Sequence, residues 1–386
     1  MGAESERGGG GQEDVFYPVA FLDETVQIDS TESIEEMRSV LVDTLARHGV
    51  DATVDEAGNT IATRTGASAA DTGSTHVVLN THVDTVPPHV PYDRDDERIY
   101  GRGSCDAKGP LAALLAGFLT VDPGAGRLTL AVSPDEETLS TGAAALDIEE
   151  LVSGAAPPDA VIVGEPTGLD VCNAAKGRFQ GTISLGGESA HAAEPDDGVN
   201  AVAAVREVID AVETFDERDD TPDPHDSLGA PTLTPTTIEG GAATNQVPAG
   251  CEVVVDRRSV PPETSEGFRS ALEAHVRERV PDDVAVGFAL TDRESPFLEA
   301  FATDADDPLV RTLADAAGGA VRSFTAATEA SYFAAHAPTV VFGPGYLADD
   351  EGAVAHSERE YVPIDEVERA ADAVTRTLDD LVGRSE

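Results

Sequence analysis

Four short, mostly apolar runs punctuate the chain, at 76–80, 128–132, 160–163 and 339–342. None of them alternates strictly, so each is expected as a strand buried on both faces. Helical stretches fill the spaces between. In 31–49, Ile34, Met37, Leu41 and Leu45 recur at helical spacing, Ser33 with Glu36 reads as a capping box, and Gly49 reads as the stop. Residues 110–121 are rich in Ala and Leu and predict a second helix. Strands alternating with helices predict an α/β fold with a mixed, doubly wound sheet.

The middle of the chain follows another rhythm. Residues 178–185 alternate like a half-exposed strand, 200–215 predict a helix, and 215–227 form an acidic, proline-containing loop. Strands at 232–238 and 251–257 follow, then a helix at 266–280. This β-α-β-β-α order predicts a smaller α+β domain of ferredoxin-like type, inserted at 177–290 into a larger domain made of 15–176 and 291–386. Residues 1–14 read as a flexible leader without the basic flank and apolar core of a signal peptide.

Composition narrows the partners. The chain has 386 residues with a formal net charge of −48, from 73 acidic and 25 basic residues. Such a surface repels phosphate backbones, so nucleic acid is not expected as a partner. No apolar run approaches the ~20 residues that span a bilayer, so no membrane association is expected. A dense carboxylate surface repels itself in dilute buffer, which predicts a salt-adapted, halophilic protein. Lysine occurs only at Lys108 and Lys176. Cys105, Cys172 and Cys251 match no metal-binding or redox spacing and read as small buried thiols of a reducing, cytoplasmic compartment.

Candidate chemistry collects where the strands end. The first run leads into Thr81-His82-Val83-Asp84, the second into Asp135-Glu136-Glu137-Thr138, and the third into Gly164-Glu165-Pro166-Thr167. In open α/β sheets, sites gather outside the carboxyl ends of strands. Asp106, just before the Ala/Leu helix, joins this set. A Glu-Glu pair alone is ordinarily a solvated face, and an Asp before a helix is ordinarily a cap. Several carboxylates brought to one rim repel unless cations lie between them, and a mixed imidazole and carboxylate set suits zinc or its neighbours.

The ordered motifs HVD (82–84 within THVD), YGRGSCDAKG (100–109), DEET (135–138), GEPT (164–167) and a late His after a GPG turn closely resemble those of a metallopeptidase family. That family is the dinuclear one that includes acetylornithine deacetylase, succinyl-diaminopimelate desuccinylase, aminoacylase and glutamate carboxypeptidase. The resemblance covers about residues 15–383. It implies two Zn²⁺ per subunit, with Co²⁺ or Mn²⁺ as substitutes. His82 and Glu165 would bind one ion, Glu137 and His356 the other, and Asp106 would bridge both. Glu136 would be the general base, and Asp84 would orient the His82 ring. In the smaller domain, Gly187-Glu188-Ser189-Ala190-His191 resembles a turn whose histidine helps hold the oxyanion in the partner subunit's site, which implies a homodimer. Asn245 and Arg258 match segments that bind the substrate carboxylate, Arg258 being preferred over Arg257.

The implied reaction is hydrolysis of an amide bond in a small N-acyl amino acid or dipeptide. The Thr328-Glu329-Ala330 segment leans toward acetylornithine deacetylase. A desuccinylase, an N-acyl-lysine or N-acyl-ornithine hydrolase of amino-acid biosynthesis, and a dipeptidase or carboxypeptidase stay open. So does a non-catalytic metal-binding homologue, although no ligand position has been lost.

Overall fold

The structure is a computed structural model and describes residues 15–67, 69, 74–146 and 158–383. The leader expected at 1–14 lies outside the described residues. The fold is mixed α/β, and the chain packs as two compact units. One comprises Met1–Pro134, Gly164–Leu169 and Gly343–Glu386; the other comprises Asp135–Val163 and Asp170–Phe342.

In the first unit the strands run in the order Ala52–Val54, Thr60–Thr65, Arg127–Ser133, His76–His82. The last two are parallel, with His76 opposite Arg127 and His82 opposite Ser133. Every residue of His76–His82 is buried, the polar His76, Asn80, Thr81 and His82 along with the apolar 77–79. The Lys108–Thr120 helix is apolar on all sides and buried through Phe118. It packs against Pro18–Thr25 and Ile364–Val382, the latter a long amphipathic helix that buries Val367, Ala370, Val374 and Leu378.

The helix expected at 31–49 spans Glu35–Arg47 and buries Met37, Leu41 and Leu45. The capping box is not formed. Ile34 is the N-cap and supplies no side-chain acceptor. The Ser33 hydroxyl instead accepts the Glu35 N–H at 3.4 Å, one residue short of the Glu36 amide that a capping box would use. Gly49 closes the turn at φ +73°, which a β-carbon would strain.

The second unit carries strands in the order Ala160–Gly164, Thr339–Phe342, Val171–Ala175, Phe301–Ala302, with Val321–Phe324 also pairing with Val171–Ala175. It also carries a four-stranded antiparallel sheet ordered Thr232–Gly240, Gly250–Ser259, Gly177–Gly186, Ala285–Leu290. With helices Val205–Glu213 and Ser265–Arg277 the local order is β-α-β-β-α-β, a ferredoxin-like arrangement. Phe179, Ile183, Val253, Val255, Phe215, Phe268 and Leu272 form its core. The alternation read at 178–185 is real: Phe179, Gly181, Ile183 and Leu185 face inward. The helix expected at 200–215 begins at Val205, because Asn200 Oδ1 takes the Ala203 N–H at 2.9 Å and holds the preceding residues in turns.

Candidate metal centre

His82 ends its strand beside Ser133 and is 1% exposed. Its Nδ1 lies 3.1 Å from the Asp84 carbonyl oxygen and 3.3 Å from the Asp84 carboxylate. A neutral ring donating from Nδ1 has a lone pair on Nε2. That lone pair faces Asp106 Oδ1 at 3.1 Å. The other Asp106 oxygen is 3.1 Å from His356 Nε2. Burial raises the Asp106 pKa, whereas His356 and His82 in their protonated forms, donating to this carboxylate in place of a metal, would outweigh burial and hold it well below the usual range.

Glu165 follows the Ala160–Gly164 strand directly. Donor atoms of His82, Asp106 and Glu165 all lie within 4.8 Å of one another, and the three residues are buried. Two features fix the segment bearing Glu165. Thr81 Oγ1 donates to the Gly164 carbonyl at 2.9 Å. On the far side the Gly343 carbonyl accepts from the Thr167 hydroxyl and the Leu169 N–H at 3.1 Å each. A β-carbon at Gly343 would stand 2.6 Å from the Glu165 carbonyl oxygen, so only glycine permits this approach.

This donor set fits a divalent cation. Lone pairs and carboxylate oxygens converge with few protons between them, an arrangement that is repulsive without positive charge. Imidazole with carboxylate is the borderline set that zinc and its neighbours accept. His356 holds its place at φ +63°, in the left-handed region that only a few per cent of non-glycine residues occupy, histidine more readily than most.

Glu136 and Glu137 follow Ser133 in sequence and lie, half-buried, in the turn at 136–139. Asp135 fastens that turn: its carboxylate accepts the Thr141 and Gly142 N–H groups at 2.8 Å, and also the Thr141 hydroxyl. Its carbonyl accepts the N–H groups of Thr138, Leu139 and Ser140.

His191 and Asn245 are exposed neighbours on two facing loops, with the Ala192 N–H donating to the Asn245 carbonyl at 3.0 Å. His191 Nδ1 accepts the Ala193 N–H, so its neutral ring carries the proton on Nε2. The two neighbouring arginines differ sharply. Arg257 is fully buried, bound to Asp216 and Glu263 at 2.8 Å each and lying over Phe215 and Phe268. Arg258 keeps 40% of its side chain exposed. It lines a cavity of about 420 Å³ with Lys176, Leu228, Ser323, Phe324 and Thr325. Burial first, then the charges of Arg257 and Arg258, lowers the Lys176 pKa, marking a pool of positive charge in an acidic chain.

Sequence reading missed Arg102 and Glu360 and gave Lys108 no role. Lys108 is buried and donates to the carbonyls of Thr25 and Ile28, at 3.0 and 2.7 Å, tying the Pro18–Thr25 helix to the loop of Asp106. Arg102 and Glu360 form a buried ion pair at 2.5 Å. Burial, then the nearby Asp106 charge, pushes the Glu360 carboxyl up to about 7 against the pull of Arg102. The only signal was the position of Arg102 and Lys108 within YGRGSCDAKG.

The profile of peptidase family M20/M25/M40 matches residues 78–380. The chain belongs to this family. Its M20 relatives include a protein of Pyrobaculum aerophilum named as a LysW-lysine/LysW-ornithine hydrolase, 32% identical over 90% of this chain and 92% of that protein. An acetylornithine deacetylase of Myxococcus xanthus is 30% identical over 84% and 85%. Among solved M20-like folds, aminopeptidase PepT of Bacillus cereus superposes with a TM-score of 0.75 at 22% identity, covering 97% of this chain and 100% of that one. The YxeP protein of Bacillus subtilis, described as a dinuclear metal-binding peptidase of the family, gives 0.68 at 11% identity over 94% and 97%. Among the described residues, no helix is long and apolar enough to cross a membrane.

Proposed function

We propose that this M20-family chain hydrolyses the amide bond of a small N-acyl amino acid, in the manner of acetylornithine deacetylase, with two divalent cations, zinc foremost. The observation that carries this reading is the buried convergence of His82, Asp106 and Glu165, with His356 on the second Asp106 oxygen. In it, His82 and Glu165 would hold one ion and Glu137 and His356 the other, with Asp106 shared between them. The continuity of Glu136 and Glu137 with the strand that ends at Ser133, beside His82, supports their inclusion. When bound, the ions acidify a water and polarise the scissile carbonyl.

The chain's own groups then have distinct tasks. Asp84 holds the His82 ring in the tautomer that presents Nε2. Glu136 takes the proton of the attacking water and hands it to the leaving amine. His191 donates from Nε2 to the developing oxyanion. Arg258, with Lys176 beside it and Asn245 nearby in sequence order, receives the substrate carboxylate; the cationic cavity supports this role.

A second reading follows from the 32% relative: the amide would join lysine or ornithine to LysW rather than to an acetyl group. Residues 177–290 would form the dimerisation and lid domain of a homodimer. The outer strand Thr232–Gly240, exposed along most of its length with Ile238 at 56%, supports that interface. The three cysteines are buried free thiols, in keeping with a cytoplasmic, reducing setting.

The test is a substrate panel run with added zinc or cobalt: N-acetylornithine, N-succinyl-diaminopimelate, N-acyl-lysine, LysW-linked lysine and Gly-dipeptides. Turnover of N-acetylornithine is expected. Glu136→Gln is expected to keep its metal and lose about 10²- to 10⁴-fold in kcat. Full activity in that variant, or no turnover of any amide by the parent, would reject the reading.

A further inference from the structure

Asp106 and His356 lie on loops rather than in strands, yet their side chains meet at 3.1 Å. One buried pair spans both loops. Glu360 is 1% exposed. Its Oε1 accepts the N–H groups of Gly103, Cys105 and Asp106, at 2.9, 3.3 and 3.3 Å. Its Oε2 accepts from Arg102 Nη1. Arg102 in turn donates to the carbonyls of His356 and Ser357, at 3.4 and 3.3 Å, and to that of Pro88 at 3.2 Å. The Gly101 N–H closes the circuit on the Glu360 carbonyl at 3.1 Å.

We propose that Glu360, locked to Arg102, is a positioning residue that sets the Asp106–His356 half of the metal centre. Three main-chain N–H groups turned toward one point form a concave anion site, and Glu360 fills it from within the chain. Without the carboxylate those buried donors are orphaned, and the loop must turn to find other acceptors. Turning Gly103–Asp106 moves the Asp106 carboxylate. Releasing Arg102 frees the His356 and Ser357 carbonyls that help hold His356 at positive φ. A neutral glutamine offers one acceptor where the carboxylate offers two, and turns an amide N–H toward Arg102 or the loop donors.

This inference rests on the two-cation reading, and the experiment separates the two. Full-length parent and Glu360→Gln are titrated with Co²⁺ by calorimetry and by visible absorption, and kcat and KM are measured at saturating metal. The parent is expected to bind Co²⁺, and His82→Ala to weaken that binding. Glu360→Gln is expected to bind it about 10- to 100-fold more weakly, with shifted visible bands and a lower kcat at a KM within twofold. A Glu360→Gln protein of lower thermal stability but parental Co²⁺ affinity and bands would overturn the positioning role alone. A parent that binds no Co²⁺ would overturn both. Hydrogen exchange on the metal-free parent keeps the proposal open to refutation should the variant fail to fold. The amides of Gly103, Cys105 and Asp106 are expected to be protected there, and free exchange would overturn the role.

Discussion

His82 Nε2 lies 3.1 Å from Asp106 Oδ1 while the opposite ring nitrogen lies 3.1 Å from the Asp84 carbonyl oxygen. A neutral imidazole has one N–H for these two acceptors. Whichever acceptor it serves, the other faces a lone pair, so both sides are satisfied only by a second proton on the ring or by a cation at Nε2, and the second carboxylate, that of Glu165, favours the cation. Asp106→Asn keeps the shape and removes the shared negative charge. Metal affinity is expected to fall by tenfold or more, read by elemental analysis of protein passed over a desalting column. An unchanged metal content would remove Asp106 from the centre.

What could be read from the chain, and what could not, divides along a physical line. The strand carrying His82 was visible because a strand buried on both faces needs a short, mostly apolar run without strict alternation, and its end marks the sheet rim. Asp106 and Glu165 were visible for the same reason, each standing beside an apolar segment. Arg102 and Glu360 were not. They are 258 residues apart in sequence, and neither periodicity nor local spacing encodes a pair that closes only in three dimensions. The Ala285–Leu290 strand also escaped notice, since its inward and outward positions do not alternate cleanly. The Ser33–Glu36 pattern was present without the cap it usually signals, because the helix starts one residue late.

Arg257 and Arg258 are sequence neighbours with opposite fates. Arg257→Met breaks a buried network with Asp216 and Glu263 and leaves Glu263 without its cation. A loss of about 3 kcal/mol is expected, visible as a Tm drop of roughly 10 °C. Arg258→Ala should leave Tm nearly unchanged and raise KM for carboxylate-bearing substrates by roughly tenfold or more. Thermal scans and initial rates on both variants decide the matter, and the reverse pattern would reassign the substrate arginine.

His275 gives the ferredoxin-like sheet a pH dependence. Burial first, then the charges of Arg279 and Arg218, lowers its pKa, and its ring meets Phe215 edge-on at 5.6 Å. In the unfolded chain this histidine takes up a proton near 6.5, whereas in the folded chain it resists until the pH is lower. The unfolded state therefore binds more protons in that window, and stability falls as pH drops through 6.5. Glu360, pushed up to about 7 by burial, titrates in the same window in both proteins, so the difference between parent and variant isolates the effect. Urea midpoints from pH 7.5 to 5.5 are expected to fall more steeply in the parent than in His275→Gln. Parallel curves would show that His275 is protonated in the fold.

Salt should act in the opposite sense to its effect on most surface ion pairs. With a net charge of −48, carboxylates such as Asp95, Asp96, Glu97, Asp282 and Asp283 stand exposed, and the 25 basic residues cannot neutralise them. Their mutual repulsion acts across roughly 30 Å at 0.01 M salt and about 3 Å at 1 M. Folding concentrates that charge, so the dilute solution destabilises the compact state. Raising KCl is expected to lift Tm by several degrees, most steeply below a few tenths molar, where the screening length shortens fastest. Sucrose, which is excluded from the surface but carries no ions, stabilises without that steep early rise. A Tm that fell as KCl rose from dilute to molar would show that favourable ion pairs, such as Arg359 with Asp349 and Arg94 with Asp23, outweigh the repulsion, and the salt-adapted reading would fail.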